Sequence, residues 1–308
     1  MFENAMIIAS QVFILFLLIG VGFWARKSKL IDDAGVRQMT QLLLVVVTPF
    51  MIIKAFQMPF DPALLRGLLI ALISAVLSHI LGILVGHLFF RHQEPSRRKV
   101  LRFGMIFSNS AFMCIPLLQA LLGSRGVFYG SVYIAVFYLL QWTYGVVLMT
   151  GNRADVNLRQ ALVNPGTIGI VIGLGLFLAG IQLPTIPAAV IGHLANLNTP
   201  IAMLVIGGTL ATSDLSGLWR DRAIFGATAI RLLLIPAAVL VILLPFKLEY
   251  ELLAACLIPA SAPVAAACAL FATRYDQDAA LASHLVALST LLSIVTMPAI
   301  IILGQMGL

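Results

Sequence analysis

The sequence predicts an all-α polytopic membrane protein of ten transmembrane helices, and three observations carry this prediction. Of its 308 residues, 61% are hydrophobic and only 10% are charged, whereas soluble domains are usually about 25% charged. Apolar stretches of roughly 20 residues, which is the length that crosses a bilayer, recur along the whole chain. The loops between them alternate between strongly basic and weakly charged. No polar stretch is long enough to fold as a soluble domain.

The expected spans are residues 5–25, 34–56, 62–90, 100–122, 126–150, 164–181, 187–211, 223–245, 250–273 and 279–303. Fourteen of the 19 Lys and Arg residues fall in alternate loops or at their edges, and basic loops stay cytoplasmic. Both termini are therefore expected on the non-cytoplasmic side of an inner or plasma membrane. The net charge of +7 is a topology signal, so the expected partner is the lipid bilayer and not a nucleic acid.

The two halves of the chain repeat each other at offsets of 151 to 153 residues. The matching pairs are Thr48-Pro49 with Thr199-Pro200, Gly20-x-Gly22 with Gly173-x-Gly175, and Leu139-Leu140-Gln141 with Leu291-Leu292-Ser293. A repeat unit of five spans is odd, so the second copy must be inverted in the membrane. The sequence therefore predicts two inverted five-helix repeats.

The fourth span carries Asn109 and Pro116 in an otherwise apolar stretch. Proline lacks an N–H, and its ring clashes with the carbonyl four residues back, which is that of Phe112. Backbone freed in this way is tolerated at membrane depth only when it is buried in protein or lines a wet cavity. The prediction is a helix broken at a binding site; the alternative is a proline kink that serves packing alone.

The ninth span is the repeat partner of the fourth, and it carries Pro259, Ser261 and Pro263. Both halves therefore interrupt the same helix. Paired interruptions of this kind indicate the substrate site of many secondary transporters, where the broken helices meet near the bilayer midplane. We expect the fourth and ninth helices to be broken.

These residues resemble the auxin efflux carrier family, whose bacterial members are commonly described as malonate or malate permeases. The matching pieces are Asn109 through Pro116-Leu117 with Gly123, Arg231 through Pro236, Pro263 through Tyr275, Ala282-Ser283, Leu288 through Ser293, and Met297-Pro298. The resemblance covers nearly the whole chain and implies a fold similar to that of the bile-acid sodium symporters, in which two broken helices cross. It therefore implies that the broken fourth and ninth helices cross. The chain departs from plant members at Cys268, where they have a further proline, so plant ligand specificity is not carried over.

The resemblance implies a mobile transport domain beside a scaffold domain. Residues 1–60 and 153–215 are expected to form the scaffold, and residues 61–152 and 216–308 the transport domain. The expected function is secondary transport of malonate- or malate-like organic anions by elevator-type alternating access. The alternatives are efflux of larger, auxin-like aromatic weak acids and a non-transporting membrane sensor. A homodimer formed through the scaffold is a further expectation.

The candidate substrate-binding residues are polar groups at or near the two breaks, together with one scaffold position. They are Asn109, Ser110, Gln141, Arg231, Ser261, Ser293 and Thr48. Arg231 is expected either to supply countercharge for an anion or to hold backbone carbonyls. Gln141 either faces substrate or packs helices together, and Thr48 either lines the site or only kinks its helix.

His79 is the candidate for proton coupling, with packing as its alternative reading. All twelve carboxylates fall in loops or at span edges, which excludes intramembrane aspartyl catalysis and disfavours relays built on a buried carboxylate. A sodium site made from Asn109, serines and freed carbonyls stays open. Neither Ser78-His79 nor Ser283-His284 is a catalytic dyad by itself, because neighbours on a helix do not face each other. The expectation is a protein that is not an enzyme and has no metal or other cofactor.

Overall fold

The computed structural model describes residues 2–212 and 221–306, with side chains from residue 10 onward. These parts of the chain are built from helices and contain no strand beyond one isolated bridge. The helices are α1 (Phe2–Lys27), α2 (Asp33–Ala55), α3 (Pro62–Phe89), α4 (Pro95–Ile106), α5 (Ser110–Thr150), α6 (Leu158–Leu162), α7 (Pro165–Leu178), α8 (Thr185–Thr212), α9 (Arg222–Phe246), α10 (Tyr250–Ser261), α11 (Ala267–Arg274) and α12 (Ala279–Met306).

Seven of the described helices are long and apolar enough to cross a membrane, namely α1, α2, α3, α5, α8, α9 and α12. Two shorter apolar helices, α7 and α10, accompany them. The all-helical, multi-pass class predicted from composition is thereby confirmed. The full count of ten crossings in an inverted repeat stays a prediction.

Helix α5 reverses direction at Gly123, where φ is 62° and ψ is −149°. This region of backbone space is essentially restricted to glycine. A Cβ added at Gly130 would lie 2.2 Å from the Leu118 side chain, although twelve residues of straight helix would separate the two by about 18 Å. The first arm (residues 110–122) therefore folds back against the second arm (residues 124–150), which matches the expected division between the fourth and fifth spans.

The two expected breaks exist; the second contains Pro263, within the stretch that the sequence indicated, whereas the first lies before Pro116 and not at it. The first break is the non-helical segment at residues 107–109, before Pro116, and the second follows Ser261. Pro116 lies inside α5, directly after its π-helical segment Ser110–Cys114, and does not interrupt the helix there. Pro259 lies inside α10, in its last turn, and Pro263 lies within the second break.

Three prolines sit just after a five-residue π-helical segment. The pairs are Leu43–Val47 with Pro49, Ser110–Cys114 with Pro116, and Ile230–Leu234 with Pro236. In each pair the carbonyl four residues before the proline belongs to the central residue of the segment. A regular turn would bring that carbonyl against the proline ring, and the wider π turn relieves the clash. These three prolines therefore mark widened turns of a helix and not breaks in it.

Helices α1, α2, α7 and α8 pack together and are called here the four-helix group. Glycines allow backbones to touch in it: a Cβ on Gly207 would lie 2.0 Å from the Ile19 carbonyl oxygen, and one on Gly22 would lie 2.5 Å from the Leu204 carbonyl oxygen. Such close approach through small residues is how membrane helices associate. Helices α3, α4, α5, α9, α10, α11 and α12 form the crossing group, in which α5 packs on α10 and α11 on α12.

Ion pairs and a hydrogen bond join several of the basic loops at one end of the helix bundle. Arg97, at the start of α4, forms ion pairs with Asp221 and Asp278, which precede α9 and α12. Lys99 donates to the Met149 carbonyl at the end of α5, at 2.7 Å. This end is called the basic side. At the opposite side Arg125 pairs with Glu251 at 3.2 Å.

Candidate functional site

The two breaks cross and pair with each other. Ser108 and Val264 form an antiparallel bridge, in which the Asn109 N–H donates to the Pro263 carbonyl at 2.8 Å and the Ala265 N–H donates to the Phe107 carbonyl at 2.9 Å. Extended backbone inside a membrane protein must find partners within the protein. Each break supplies them to the other, so the crossing is a joint feature of both halves.

Arg231 forms hydrogen bonds to the backbone of both broken helices at the crossing. Its side chain is fully buried. The guanidinium donates to the carbonyls of Met105 (3.1 Å), Ala260 (3.0 Å), Ala262 (3.1 Å) and Pro259 (3.4 Å). These carbonyls belong to the last turns of α4 and α10 and to the residue just beyond α10.

The burial of a charged Arg231 at this position has an electrostatic explanation. The last carbonyls of a helix have no intrahelical donor, and the helix dipole places partial negative charge there. One guanidinium neutralises the ends of two half-helices at once. Of the two roles that the sequence left open, the contacts match the structural one, since the side chain is occupied by carbonyls and does not line the cavity described next.

A cavity of about 330 Å³ lies on the other face of the crossing, between the two helix groups. Its walls come from α2 and α8 on one side and from α5, α11 and α12 on the other. The lining residues are Thr40, Leu44, Asn109, Ala111, Phe112, Phe137, Tyr138, Gln141, Trp142, Val205, Ile206, Thr209, Leu210, Ala265, Ala266, Ala267, Leu270, Val286 and Thr290. None of them is charged.

Two amide side chains at the cavity have polar atoms to offer a ligand. Gln141 is buried, and its Oε1 has no hydrogen-bond partner among the described residues. Asn109 is 4% exposed, and its side chain takes part in none of the hydrogen bonds found among those residues. The hydroxyls of Thr40 and Thr290 already donate to carbonyls of their own helices. Asn109 and Gln141 are therefore the main polar contacts available.

Two helices begin at the cavity. The first arm of α5 starts at Ser110, and α11 starts at Ala267. The first N–H groups of a helix lack an intrahelical acceptor, and the dipole makes that end partially positive. The positive ends of two half-helices thus face the cavity, while their partners α4 and α10 direct their negative ends to Arg231.

Aromatic side chains form much of one wall, and the sequence analysis did not select them. They are Phe112, Phe137, Tyr138 and Trp142. Tyr138 and Trp142 flank Gln141 on α5. The choice of Gln141 as a site residue could therefore have led to these two neighbours. Aromatic residues are too common in membrane helices for composition alone to distinguish them.

The other candidates lie away from the cavity lining. The Ser261 and Ser293 hydroxyls donate to Ile258 and Thr290 carbonyls, at 3.1 and 2.6 Å. Ser110 is buried, with a hydroxyl that has no partner among the described residues. Thr48 accepts a hydrogen bond from Asn198 at 3.3 Å.

His79 is fully buried behind the crossing, with its ring 4.9 Å from that of Tyr133. Its Nδ1 lies 2.7 Å from the Ala75 carbonyl oxygen. A carbonyl only accepts, so Nδ1 carries the proton of the neutral ring. Nε2 has no partner within the described part of the chain. A proton-coupling role for His79 stays a prediction. No Asp or Glu with a described side chain is buried.

Two broken helices that cross inside a bundle of membrane helices, with a cavity at the crossing, define a membrane transporter. The chain belongs to the family described as membrane transport protein, which it matches over residues 7–160 and 153–301. The resemblance to auxin efflux carriers is thereby confirmed. The chain is also 24% identical over 293 residues to an uncharacterized transporter of Methanothermobacter thermautotrophicus, an alignment that covers 92% of this chain and 93% of that protein.

Proposed function

We propose that the protein is a secondary transporter of small organic anions that works by elevator-type alternating access. The four-helix group, in residues 1–60 and 153–215, serves as scaffold, and the crossing group, in residues 61–152 and 216–308, carries the substrate. The observation that carries this proposal is the cavity between the groups, where two helix N-termini and two amides converge. The family supports transport in general; the substrate and the movement are our inference.

The site favours one carboxylate group. Backbone N–H groups at the starts of α5 and α11, with the amide of Asn109, are donors suited to an anion. Gln141 can add a donor only through its Nε2, since its Oε1 accepts. These are partial charges and neutral donors, and they compensate a single negative charge far better than two.

The uncharged lining also favours a second candidate function, which is the transport of larger aromatic weak acids. A malonate or malate dianion would bring its second carboxylate against aromatic and aliphatic side chains with no cation lining the wall. Burying an unpaired carboxylate is strongly unfavourable. An aromatic monocarboxylate would place its ring against Phe112, Phe137, Tyr138 and Trp142, with its charge at Asn109. We propose this weak-acid class as the main rival to the dicarboxylates.

The orientation belongs to the same proposal. Basic loops indicate the cytoplasm, so the basic side faces inward and both termini face outward in an inner or plasma membrane. The cavity is lined by Thr40 of α2 and Thr209 of α8, both toward the basic ends of their helices. With this proposed orientation, we infer that the structure represents an inward-facing state.

Uptake of labelled acids into proteoliposomes tests the function. The panel contains dicarboxylates, aliphatic monocarboxylates and aromatic monocarboxylates, each with and without sodium and a pH gradient. Asn109→Ala removes the central amide and is expected to weaken substrate binding ten- to a hundredfold, on the order of 1–3 kcal/mol. Thr228→Val is the control, because it removes a buried polar group without a partner among the described residues, a hydroxyl that does not line the cavity. Absence of uptake for every acid contradicts the proposal.

A further inference from the structure

A cation, Arg274 at the end of α11, lies beside the cavity without forming part of its lining. Its guanidinium carbon is 5.9 Å from the ring centre of Trp142, which lines the cavity, and 5.6 Å from that of Tyr275. Arg274 is exposed, and it forms no ion pair or hydrogen bond within the described part of the chain. Its guanidinium is therefore available to an anion that arrives from the aqueous phase.

The cavity opens toward the ends of two of the helices that line it. Among the lining residues, Ala265 is 2% exposed and Val205 is 5% exposed. Leu270, further along α11, is 64% exposed, and Thr209, further along α8, is exposed as well. The lining is thus buried at the crossing and reaches solvent toward the ends of α8 and α11.

Helix α11 connects this opening to the crossing. Ala267, Leu270 and Arg274 lie on one helix face at spacings of three and four residues, and the first two line the cavity. Arg274 lies about 6 Å beyond Leu270 and about 10 Å beyond Ala267 along the axis. Asp278, four residues later, pairs with Arg97 on the basic side. Arg274 therefore lies between the cavity lining and the basic loops.

A structural explanation covers the charge of Arg274 but not its position over Trp142. A basic residue in the last turn of a helix stabilises the negative end of the helix dipole, and a cation that points into solvent would do so equally well. A guanidinium over an aromatic face gains cation–π attraction, while the N–H groups at its edge can still bind a carboxylate. The contact with Trp142 therefore keeps a carboxylate-binding group next to the cavity lining.

We propose that Arg274 and Trp142 form an entry site for carboxylates at the basic-side opening of the cavity. The inference rests on the proposed function and adds the step by which an acid reaches the uncharged lining. A cation at an opening attracts anions and raises the rate at which they enter. Because Arg274 is exposed, its ion pair with a carboxylate is weak. The acid can therefore move on to the start of α11, about 10 Å deeper, and to Asn109.

The electrostatic potential at the opening can be measured without a substrate. Leu270→Cys is labelled in detergent with two thiosulfonate reagents of similar size, one anionic and one cationic, against a background of three buried cysteines. Adding Arg274→Gln should lower the ratio of anionic to cationic labelling rates at least threefold at low salt. The effect should shrink at high salt, because salt screens exposed charges.

Arg222→Gln is the matched control for this labelling. Arg222 is an exposed charge on α9, a helix that contributes no residue to the cavity lining, so the ratio should stay at the parent's value. An unchanged ratio in Arg274→Gln overturns the proposal. So does a failure of Leu270→Cys to react with either reagent, because the cavity would then be closed at this end.

Binding kinetics test the role of Arg274 in entry. For an acid that the parent transports, stopped-flow tryptophan fluorescence gives the association and dissociation rates with the solubilised protein. Arg274→Gln should lower both rates at least fivefold at low salt and leave Kd within twofold, because the acid passes Arg274 on entry and on exit. Arg274→Lys keeps the charge and should retain most of both rates.

The other kinetic outcomes contradict the entry site. Unchanged rates in Arg274→Gln overturn it, and so does a loss of affinity with an unchanged association rate, which would place Arg274 in the binding site itself. If the parent transports no acid, the proposed function fails. The labelling ratio of Leu270→Cys alone then decides whether Arg274 attracts anions to the opening.

Discussion

Arg231 shows how one residue joins the two halves of the molecule. Its guanidinium donates to carbonyls at the ends of α4 and α10, which come from different halves of the chain. The sequence identified the residue as exceptional, because an arginine at membrane depth is costly. The partners of Arg231 could not be predicted from the sequence, because every residue has a backbone carbonyl and one of the partners is 126 residues away.

Replacing Arg231 is therefore expected to damage stability more than specificity. Arg231→Gln loses two or more charge-assisted hydrogen bonds, worth about 1.5–3 kcal/mol each, so the melting temperature in detergent should drop clearly. Arg231→Lys should rescue only part, because an ammonium lacks the planar fork. Arg222→Gln, an exposed charge at the start of the same helix, is the control. A loss confined to dianion binding, with unchanged melting, would restore the countercharge role.

At the scale of elements, Gly123 decides whether α5 is one helix or two. Gly123→Ala has open space around its new Cβ, so its effect reports backbone conformation alone. Alanine in this glycine-only region costs about 1–3 kcal/mol, and thermal stability should fall. Gly226→Ala also meets open space but lies inside α9, where alanine favours the helix by about 1 kcal/mol. Opposite shifts of melting temperature are expected; equal shifts would contradict the chain reversal.

Pro116 acts on the geometry of the first arm and not on the break itself. In Pro116→Ala the N–H returns, and the Ser110–Cys114 segment is free to tighten from π to α turns. Because a π turn holds one extra residue, this rotates Asn109 and Ser110 against the rest of α5. We expect a well-inserted protein with at least tenfold weaker uptake. Transport at the parent's rate would show that the π segment is dispensable.

The breaks mark the limit of sequence reasoning at this scale. Polar residues and prolines placed them in the correct helices, since both signals follow from backbone chemistry. The exact exits at Ile106 and Ser261 depend on pairing between Ser108 and Val264, a contact between segments more than 150 residues apart. Local sequence contains no information on such a contact.

For the whole molecule, composition and loop charge were sufficient to predict the membrane class. The ion pairs of Arg97 with Asp221 and Asp278 at one side join three loops, and the sequence did not predict these pairs. The lining of the site could be predicted from the sequence only in part. Asn109 and Gln141 line the cavity, but its aromatic wall depends on how α5 folds back at Gly123. The lack of a cation among the lining residues became visible only once Arg231 was placed behind the crossing.

The central claim is that this cavity binds the transported acid, and protection of a single cysteine tests it most directly. Ala266 lines the cavity at the start of α11, so Ala266→Cys should react with a water-soluble maleimide. A transported acid is expected to slow this reaction at least tenfold, and to lose that effect when Asn109→Ala is added. Ala154→Cys, at an exposed loop, should react at the same rate throughout. An acid that is transported and bound but leaves the labelling of Ala266→Cys unchanged would contradict the account.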